Sequence, residues 1–229
     1  MTFRNRLQYL MVWRIKLSNK QAIDEILKGN VRVNRLVQRQ NIEISIEDEV
    51  EWNGQIIQVG EKFIYLAFYK PVGIETTLNE SISDNLKNIL PFKERLFPVG
   101  RLDKASEGLL LLTNDGNLFK HILKYDNRVE KEYLVTVDSP ITTDFVRQMA
   151  TGIRIMGKIT LPCKVVQLEE KVFQIVLIQG MNRQIRRMCY QLGYEVTQLK
   201  RVRIGNVVLE DLRPMNYRVV EKGICYDFR

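Results

Sequence analysis

Residues 97–116 read FPVGRLDKASEGLLLLTNDG, and this stretch decides how the rest of the chain is interpreted. The proline and glycine within 98–100 predict a turn. The four leucines at 109–112, closed by Asn-Asp-Gly, predict a short buried strand. Asp103 lies between these two features, with an arginine two residues before it and a lysine directly after it. We therefore expect a carboxylate in a loop that leads into a buried strand.

The surroundings of Asp103 allow two interpretations from the residues alone. One is an ordinary solvated loop with a surface Arg–Asp pair, since charged loop residues are mostly exposed. The other is a carboxylate held in place for binding or catalysis. His121 is the only histidine, which excludes a His-rich metal site, and no nucleophile motif accompanies it as a catalytic triad would require. Acid–base chemistry would therefore fall to carboxylates, tyrosines or lysines.

The overall charge indicates a polyanionic partner. The 229 residues include 35 Lys and Arg against 27 Asp and Glu, a formal net charge of +8. A balance this basic favours nucleic acid first and an acidic membrane surface second. Three widely separated cysteines show no zinc spacing and predict no disulfide framework, which fits a reducing compartment. Without a signal-peptide pattern or an apolar run that could span a bilayer, we expect a cytoplasmic protein with no membrane partner.

Residues 1–59 form the first predicted domain, with the order helix, helix, strand, turn, strand. Ser18 is the predicted N-cap of the second helix, and Gly29 its end. A strand follows at 31–34, and residues 48–58 predict a hairpin about Asn-Gly. The junction ILKGNVRVN resembles that of S4 RNA-binding domains, which implies an RNA-binding role for this domain. Members usually carry an arginine-rich segment where this chain has SNKQA.

Residues 63–229 form the second predicted domain, joined to the first by a short linker at 58–62. Alternating apolar residues predict a mainly antiparallel mixed sheet flanked by helices, so the chain is assigned to the α+β class. Strands are predicted at 63–71, 130–138, 163–168 and 172–178, a hairpin at 153–159, and helices at 83–90, 117–124, 142–150 and from 182 to 193.

The last of these helices carries an unusual distribution of charge. Its apolar residues recur at helical spacing and predict a buried stripe. Asn182 is the expected N-cap. Three arginines, Arg183, Arg186 and Arg187, then crowd the first two turns, where the helix dipole disfavours cations. An ordinary charged surface is one explanation, and anionic partners, either phosphates or the Asp103 carboxylate, are the other.

Three motifs together resemble the catalytic motifs of pseudouridine synthases of the RsuA/RluB/RluE/RluF group. They are GRLD followed by SEGLLLLTNDG, KEYLV at 131–135 and NRQIRRM at 182–188. The resemblance implies that Asp103 is the essential catalytic residue and that Arg186 pairs with it. It also implies that Tyr133 lies against the target base, for which stacking and general-base roles are both open. From its strand position alone, Tyr133 is most simply a core aromatic with its hydroxyl at the rim.

The reaction implied by the resemblance is isomerisation of uridine to pseudouridine within RNA. The bond from C1′ to N1 breaks, the uracil turns and C5 joins C1′, so no cofactor and no metal is needed. The target base must leave its helix or loop, and Arg101 is expected to hold the opened RNA. Leu102 and Leu177 are expected to exclude water from the opened sugar. Further phosphate contacts are predicted at Lys20, Lys28, Arg183, Arg187, Lys200, Arg201 and Arg203.

Within that group the resemblance is closest to RluF-type members, which modify a 23S rRNA hairpin. It implies a monomer with ribosomal RNA as partner, 23S ahead of 16S, and tRNA as a further candidate. A non-catalytic ribosome-binding assembly factor is one alternative, which loss of Asp103, Tyr133 or Arg186 would favour; all three are present. A nucleoside hydrolase or glycosidase is another, but it normally needs two cooperating carboxylates. Glu107 and Asp115 are near in sequence and have no partnering motif.

Overall fold

The computed structural model describes residues 5–92, 96–123 and 128–227. Residue 124, at which the sequence predicts a helix end, lies outside them. The chain forms two units, residues 1–63 and 64–229. The change of unit follows the linker expected at 58–62, because the last strand of the first unit runs as far as Gln58.

The first unit packs two helices against a small antiparallel sheet. The helices are α1 (Leu7–Ile15) and α2 (Asn19–Lys28), and the strands are β1 (Val31–Val33), β2 (Leu36–Gln38), β3 (Val50–Trp52) and β4 (Gln55–Gln58). The sheet order is β2-β1-β3-β4. Ser18 caps α2 through a capping box with Gln21, and Gly29 ends it in the left-handed conformation, as the sequence indicates. Buried side chains such as Leu7 and Ile26 fill the core.

Strand β2 is missing from the sequence prediction. Asn34 and Arg35 both have positive φ, +50° and +69°, which suits the tight turn of a β-hairpin. Leu36 and Val37 are exposed at the edge of the sheet. The strand therefore lacks the alternation of buried and exposed residues by which half-buried strands are recognised.

The second unit is built on one mixed sheet flanked by helices, which confirms the predicted α+β class. Its strands are β5 (Tyr65–Lys70), β6 (Phe97–Val99), β7 (Glu107–Thr113), β8 (Lys131–Val137), β9 (Arg154–Ile155), β10 (Lys158–Ile159), β11 (Lys164–Glu169), β12 (Val172–Leu177), β13 (Val196–Ile204), β14 (Val207–Val208) and β15 (Tyr217–Val219). Its helices are α3 (Leu86–Ile89), α4 (Gly116–Leu123), α5 (Thr143–Thr151), α6 (Gln184–Gln191) and α7 (Lys222–Tyr226).

The main sheet of this unit runs in the order β11-β12-β8-β13-β7-β5-β15, with β14 added to β13 and β6 added to β7. The β13–β7 pair is parallel, whereas β12–β8, β13–β8 and β5–β7 are antiparallel. Strands β9 and β10 form the separate hairpin that the sequence predicts. The sheet is therefore mixed and mainly antiparallel, as expected.

Strand β7 is the predicted buried strand, and it lies inside the sheet. Its leucines at 109–112 are almost completely inaccessible to solvent. The parallel neighbour β13 comes so close at Gly108 that a Cβ there would lie 2.3 Å from the carbonyl oxygen of Arg201. Gly108 also has a φ of +106°, a conformation that side chains with a Cβ rarely adopt. The loop that carries Asp103 is thus anchored to β13 at its downstream end.

Two local predictions differ from the structure. Pro98 lies within β6 and pairs with β7, so the turn is made at Gly100, whose φ is +79°. A proline is tolerated in such a short added strand. The N-cap position of α6 is occupied by Arg183, in the left-handed conformation with a φ of +50°, and not by Asn182. The Asn182 side chain instead accepts a hydrogen bond from Arg187.

Candidate active site

A cavity of about 450 Å³ opens in the second unit beside the loop that carries Asp103. Its walls come from this loop, from β8, from the loop before α6 and from β13. Seven residues singled out from the sequence line it: Arg101, Leu102, Asp103, Tyr133, Leu177, Arg183 and Arg201. The three separate sequence motifs therefore meet at one place.

The Asp103 loop is held by hydrogen bonds from the segment that follows β5. The Thr76 hydroxyl donates to the Leu102 carbonyl at 2.7 Å and accepts from the Leu102 N–H at 3.1 Å. The N–H of Gly73 donates to the Lys104 carbonyl at 2.8 Å. The backbone on both sides of Asp103 is therefore fixed from outside the loop.

The Asp103 side chain is half-buried and lines the cavity. Within the described part of the chain, no donor hydrogen-bonds to its carboxylate and no cation lies within ion-pair distance. The neighbouring Lys104 pairs with Asp84 at 3.0 Å instead. Asp103 is also the one carboxylate among the described residues that line this cavity. Its oxygens are therefore available to a ligand, and no second carboxylate faces them.

Arg186 differs from the implied role in its contacts, because no ion pair joins it to Asp103 among the described residues. Its Nη2 donates to the Ala105 carbonyl at 2.8 Å and its Nη1 to the Val196 carbonyl at 2.9 Å, whereas its buried Nε has no hydrogen-bond partner among the described residues. Burial lowers the pKa of Arg186, the Arg183 charge lowers it further, and the Asp103 charge opposes both. Arg186 thus ties the loop to the start of β13 and acts on Asp103 through space.

Tyr133 lies on β8, where it is half-buried and lines the cavity. Val135 and Val137, further along the same face of the strand, are buried in the core, and Tyr133 packs against that core. The ring is therefore partly a core aromatic, as its position in the strand suggests, and partly a cavity wall. Leu102 and Leu177 are buried and add apolar surface to the same cavity.

Lys131 is a cavity residue that the sequence interpretation missed. It lies two positions before Tyr133 on β8 and therefore on the same face of the strand. Its Nζ donates to the Val129 carbonyl at 3.0 Å. Burial lowers the pKa of Lys131 to about 8, and the Arg201 charge adds to the effect. The sequence could have indicated this position, because side chains alternate along a β-strand and a residue two positions from Tyr133 lies on the same face of the sheet.

Two of the predicted phosphate contacts, Arg201 and Arg203, make hydrogen bonds or ion pairs within the protein. Arg201 is only 3% exposed, and its Nε donates to the Leu109 carbonyl at 2.7 Å. Arg203 pairs with Glu130 at 2.9 Å and with Glu132 at 2.7 Å. The expectation treated this stretch as an exposed basic run. The interior place of β13 buries Arg201, and Arg203 pairs with Glu130, directly before β8, and with Glu132 within it.

The remaining predicted RNA contacts lie at or near the surface. Lys28 pairs with Asp24 at 2.7 Å, so its charge is partly compensated. The Nζ of Lys200 lies 5.0 Å from the centre of the Tyr69 ring, a cation–π contact. The exposed residues among them are Lys20, Lys28, Arg101, Arg183 and Arg187. A role of these side chains in RNA binding stays a prediction.

The described residues form no recognisable metal site, since no three His, Cys, Asp or Glu side chains are grouped there. In the same part of the chain, no helix is long and apolar enough to cross a membrane. The single histidine, His121, packs against Tyr226 with ring centroids 5.4 Å apart. His121 therefore contributes to packing and is not among the residues that line the cavity.

Comparison with known proteins agrees with this geometry. Residues 64–191 match the family described as RNA pseudouridylate synthase. The dual-specificity RNA pseudouridine synthase RluF of Escherichia coli (strain K12) is 45% identical over 197 residues, which cover 85% of this chain and 68% of that protein. The ribosomal large subunit pseudouridine synthase B of Bacillus subtilis (strain 168) is 32% identical, with 86% of this chain and 84% of that protein covered.

The fold has a counterpart among solved structures as well. A crystal structure of a pseudouridylate synthase superposes with a TM-score of 0.68 at 28% identity, covering 96% of this chain and 97% of that one. The family match includes the Asp103 loop, β8 and α6, the three elements that meet at the cavity. This chain belongs to the RNA pseudouridylate synthase family.

Proposed function

We propose that this protein isomerises one specific uridine of ribosomal RNA to pseudouridine, with Asp103 as the essential catalytic residue. The observation that carries the proposal is the Asp103 carboxylate. It is the one described acidic group lining the cavity, and no described donor or cation occupies it. A volume of about 450 Å³ lies in the range of sites that enclose one small ligand, which suits a single extruded nucleotide.

The reaction leaves the composition of the RNA unchanged. The bond from C1′ to N1 breaks and a bond from C5 to C1′ forms, while the proton on C5 leaves and N1 acquires one. The Asp103 carboxylate is the group that acts first, by attack on C1′, by addition to C6 of the ring, or by removal of the proton at C2′. Each route requires an oxygen with free lone pairs close to the sugar, and Asp103 supplies it.

Tyr133 contacts the uracil after it leaves the sugar, and Leu102 and Leu177 form an apolar wall of the cavity. The Tyr133 ring stacks on the uracil while it turns, and its hydroxyl, directly or through a water, accepts the C5 proton. Leu102 and Leu177 keep bulk water from the opened sugar, which water would otherwise capture. Arg186 keeps the loop in register with β13 through its two main-chain carbonyl contacts. Arg101, exposed at the cavity, holds the strand from which the base is extruded.

The proposed substrate is ribosomal RNA, with 23S ahead of 16S. Two observations support it: the Bacillus subtilis relative is a ribosomal large subunit synthase, and the formal net charge is +8. The RluF relatives are dual-specificity RNA enzymes, so a second RNA such as tRNA belongs in the test. The S4-like first unit is proposed to bind the same RNA, which raises the effective concentration of the second unit at the target.

The setting proposed for this activity is the cytoplasm, where the protein would act as a monomer. Its three cysteines, Cys163, Cys189 and Cys225, are unpaired thiols, which suits a reducing compartment. Size-exclusion chromatography of the full chain with light scattering checks the oligomeric state. A mass near 26.9 kDa is expected, and twice that mass would contradict the monomer.

The substrate is tested by mapping pseudouridine. Unmodified 23S, 16S and tRNA transcripts are incubated with the full chain, treated with carbodiimide and read by primer extension. A stop at one 23S uridine is expected, and a stop in 16S RNA or tRNA alone would overturn the substrate. Tight binding with no stop in any RNA would support a non-catalytic assembly factor. Release of free uracil would identify a hydrolase.

A further inference from the structure

A second cavity, of about 690 Å³, lies along the outer side of α6. One wall is the helix itself. The others are the tip of the β9–β10 hairpin, with Ile155 and Met156, and the backbone from Gly193 to Val196. Arg183 borders both cavities, since it lines this one and the one that contains Asp103.

Three of the side chains that line this cavity form a file, with Arg183 at the N-cap of α6 and Arg187 and Tyr190 within the helix. Arg187 and Tyr190 are spaced i and i+3, so they lie on one face of the helix, and Arg183 precedes them in the left-handed conformation. The opposite face, with Ile185 and Met188, is buried in the core of the unit. The file is consequently held in place by the packing of the helix.

The side chains of this file are strongly exposed to solvent. Tyr190 is 77% exposed, more than any other aromatic side chain in the described ranges. Arg187 is fixed by hydrogen bonds from its Nε to the Asn182 carbonyl at 3.1 Å and from its Nη2 to the Asn182 side chain at 3.3 Å. Neither Arg183 nor Arg187 has a carboxylate partner among the described residues. One aromatic ring and two uncompensated guanidinium groups thus point to a ligand with both a flat base and negative charge.

We infer that this cavity is a subsite for the RNA nucleotide next to the target uridine. Its base stacks on Tyr190, and its phosphates lie against Arg183 and Arg187. The inference rests on the proposed function, because that function places the target in the adjoining cavity. Six residues lie between Arg183 and Tyr190, and the helical part from Gln184 to Tyr190 rises by about 9 Å, which is room for about one or two nucleotides.

The acidic groups of the cavity orient this nucleotide. Asp138 and Glu195 also line the cavity, and the Asp138 carboxylate accepts a hydrogen bond from the Glu195 N–H at 2.9 Å. Phosphates are repelled by these two carboxylates and attracted to the two arginines of the file. The backbone of the RNA therefore follows α6, and this charge asymmetry favours a nucleic acid strand over an apolar or cationic ligand.

The test is equilibrium binding of fluorescein-labelled single-stranded decauridylate to the full chain, followed by anisotropy. Tyr190→Ala removes the stacking surface and should raise Kd about fivefold or more, whereas Tyr190→Phe, which keeps the ring, should stay within about twofold. Arg187→Ala should also weaken binding. Arg147→Ala is the matched control, because it removes an exposed arginine of α5 that does not line either cavity.

The outcomes separate this inference from the proposed function. An unchanged Kd for Tyr190→Ala, or an equal loss for Arg147→Ala, would overturn the subsite even if pseudouridine is formed. The expected Kd pattern without any pseudouridine would support the subsite and defeat the proposed function. A second measurement uses an RNA with one uridine and an abasic residue beside it. If the missing base is the one that stacks on Tyr190, Tyr190→Ala and the wild-type protein should bind this RNA with nearly the same Kd.

Discussion

The support of the catalytic loop makes a prediction about a residue outside it, Thr76. Its hydroxyl is 6% exposed and satisfies both backbone groups of Leu102, the residue directly before Asp103. Thr76→Val replaces that hydroxyl with a methyl group of nearly the same shape. It therefore leaves one buried N–H and one buried carbonyl without a partner, while the packing volume is preserved.

The expected size of the effect follows from those two groups. Each buried polar group left unsatisfied costs about 1–3 kcal/mol, so the loss of both partners should lower the free energy of unfolding by about 2–6 kcal/mol. If the loop shifts to recover these hydrogen bonds, the Asp103 carboxylate moves with it. A misplacement of about 1 Å costs about a hundredfold in rate, so single-turnover pseudouridine formation should slow by about ten- to a hundredfold.

The assay compares three variants by urea unfolding and by single-turnover rates on the same RNA. Thr76→Ser keeps the hydroxyl and should stay close to the wild type. Thr77→Val is the matched control, because the Thr77 hydroxyl accepts a single local hydrogen bond from Asn79 at 3.2 Å. Wild-type stability together with a wild-type rate for Thr76→Val would refute the idea that this side chain holds the loop.

Three further predictions concern the surroundings of the cavity. Arg186→Lys keeps a charge, but a lysine cannot contact the carbonyls of both Ala105 and Val196. The single-turnover rate should therefore fall about tenfold or more. An unchanged rate would contradict the role of Arg186 in joining the Asp103 loop to β13. Gly108→Ala places a Cβ 2.3 Å from a backbone oxygen of β13 at a φ of +106°, so the melting temperature should drop sharply; retention of the wild-type value would contradict that contact. The pKa of Lys131 is about 8 in the folded protein, below its ordinary value of 10.5. Between these two pH values the unfolded chain binds more protons than the folded protein, so the free energy of unfolding rises with pH. Lys131→Met should reduce this rise in urea titrations at successive pH values, and an identical slope would refute the burial of its charge.

Elements with a strong local pattern could be predicted from the sequence. The leucine run of β7, the hairpin of β9 and β10 and the capped helix α2 follow from residue periods and turn chemistry that act over a few positions. Strand β2 was not predicted, because Leu36 and Val37 are exposed at a sheet edge and the strand lacks alternating buried and exposed residues. Pro98 was assigned to a turn because its place beside β7 depends on a pairing that local signals do not contain.

The composition of the cavity was predictable, but the partners of its charged groups were not. Motif resemblance singled out Asp103 and Tyr133, and both line it. The partner of Arg186 lies 81 residues away in the chain, and the choice between a carboxylate and a main-chain carbonyl depends on how β13 meets the loop. The burial of Arg201 has the same origin, because the parallel pairing of β13 with β7 becomes visible only in the folded sheet.

The most direct test of the central claim, that Asp103 performs the chemistry in this cavity, is release of tritium from RNA labelled at C5 of uridine. The wild-type protein should release the label to water in step with pseudouridine formation. Asp103→Asn keeps the shape of the side chain, so it should bind the RNA with nearly the same Kd. It should release tritium slower by about three orders of magnitude or more, a loss of about 4 kcal/mol of transition-state stabilisation. Release within about tenfold of the wild-type rate, or an equal loss of binding and release, would contradict the account.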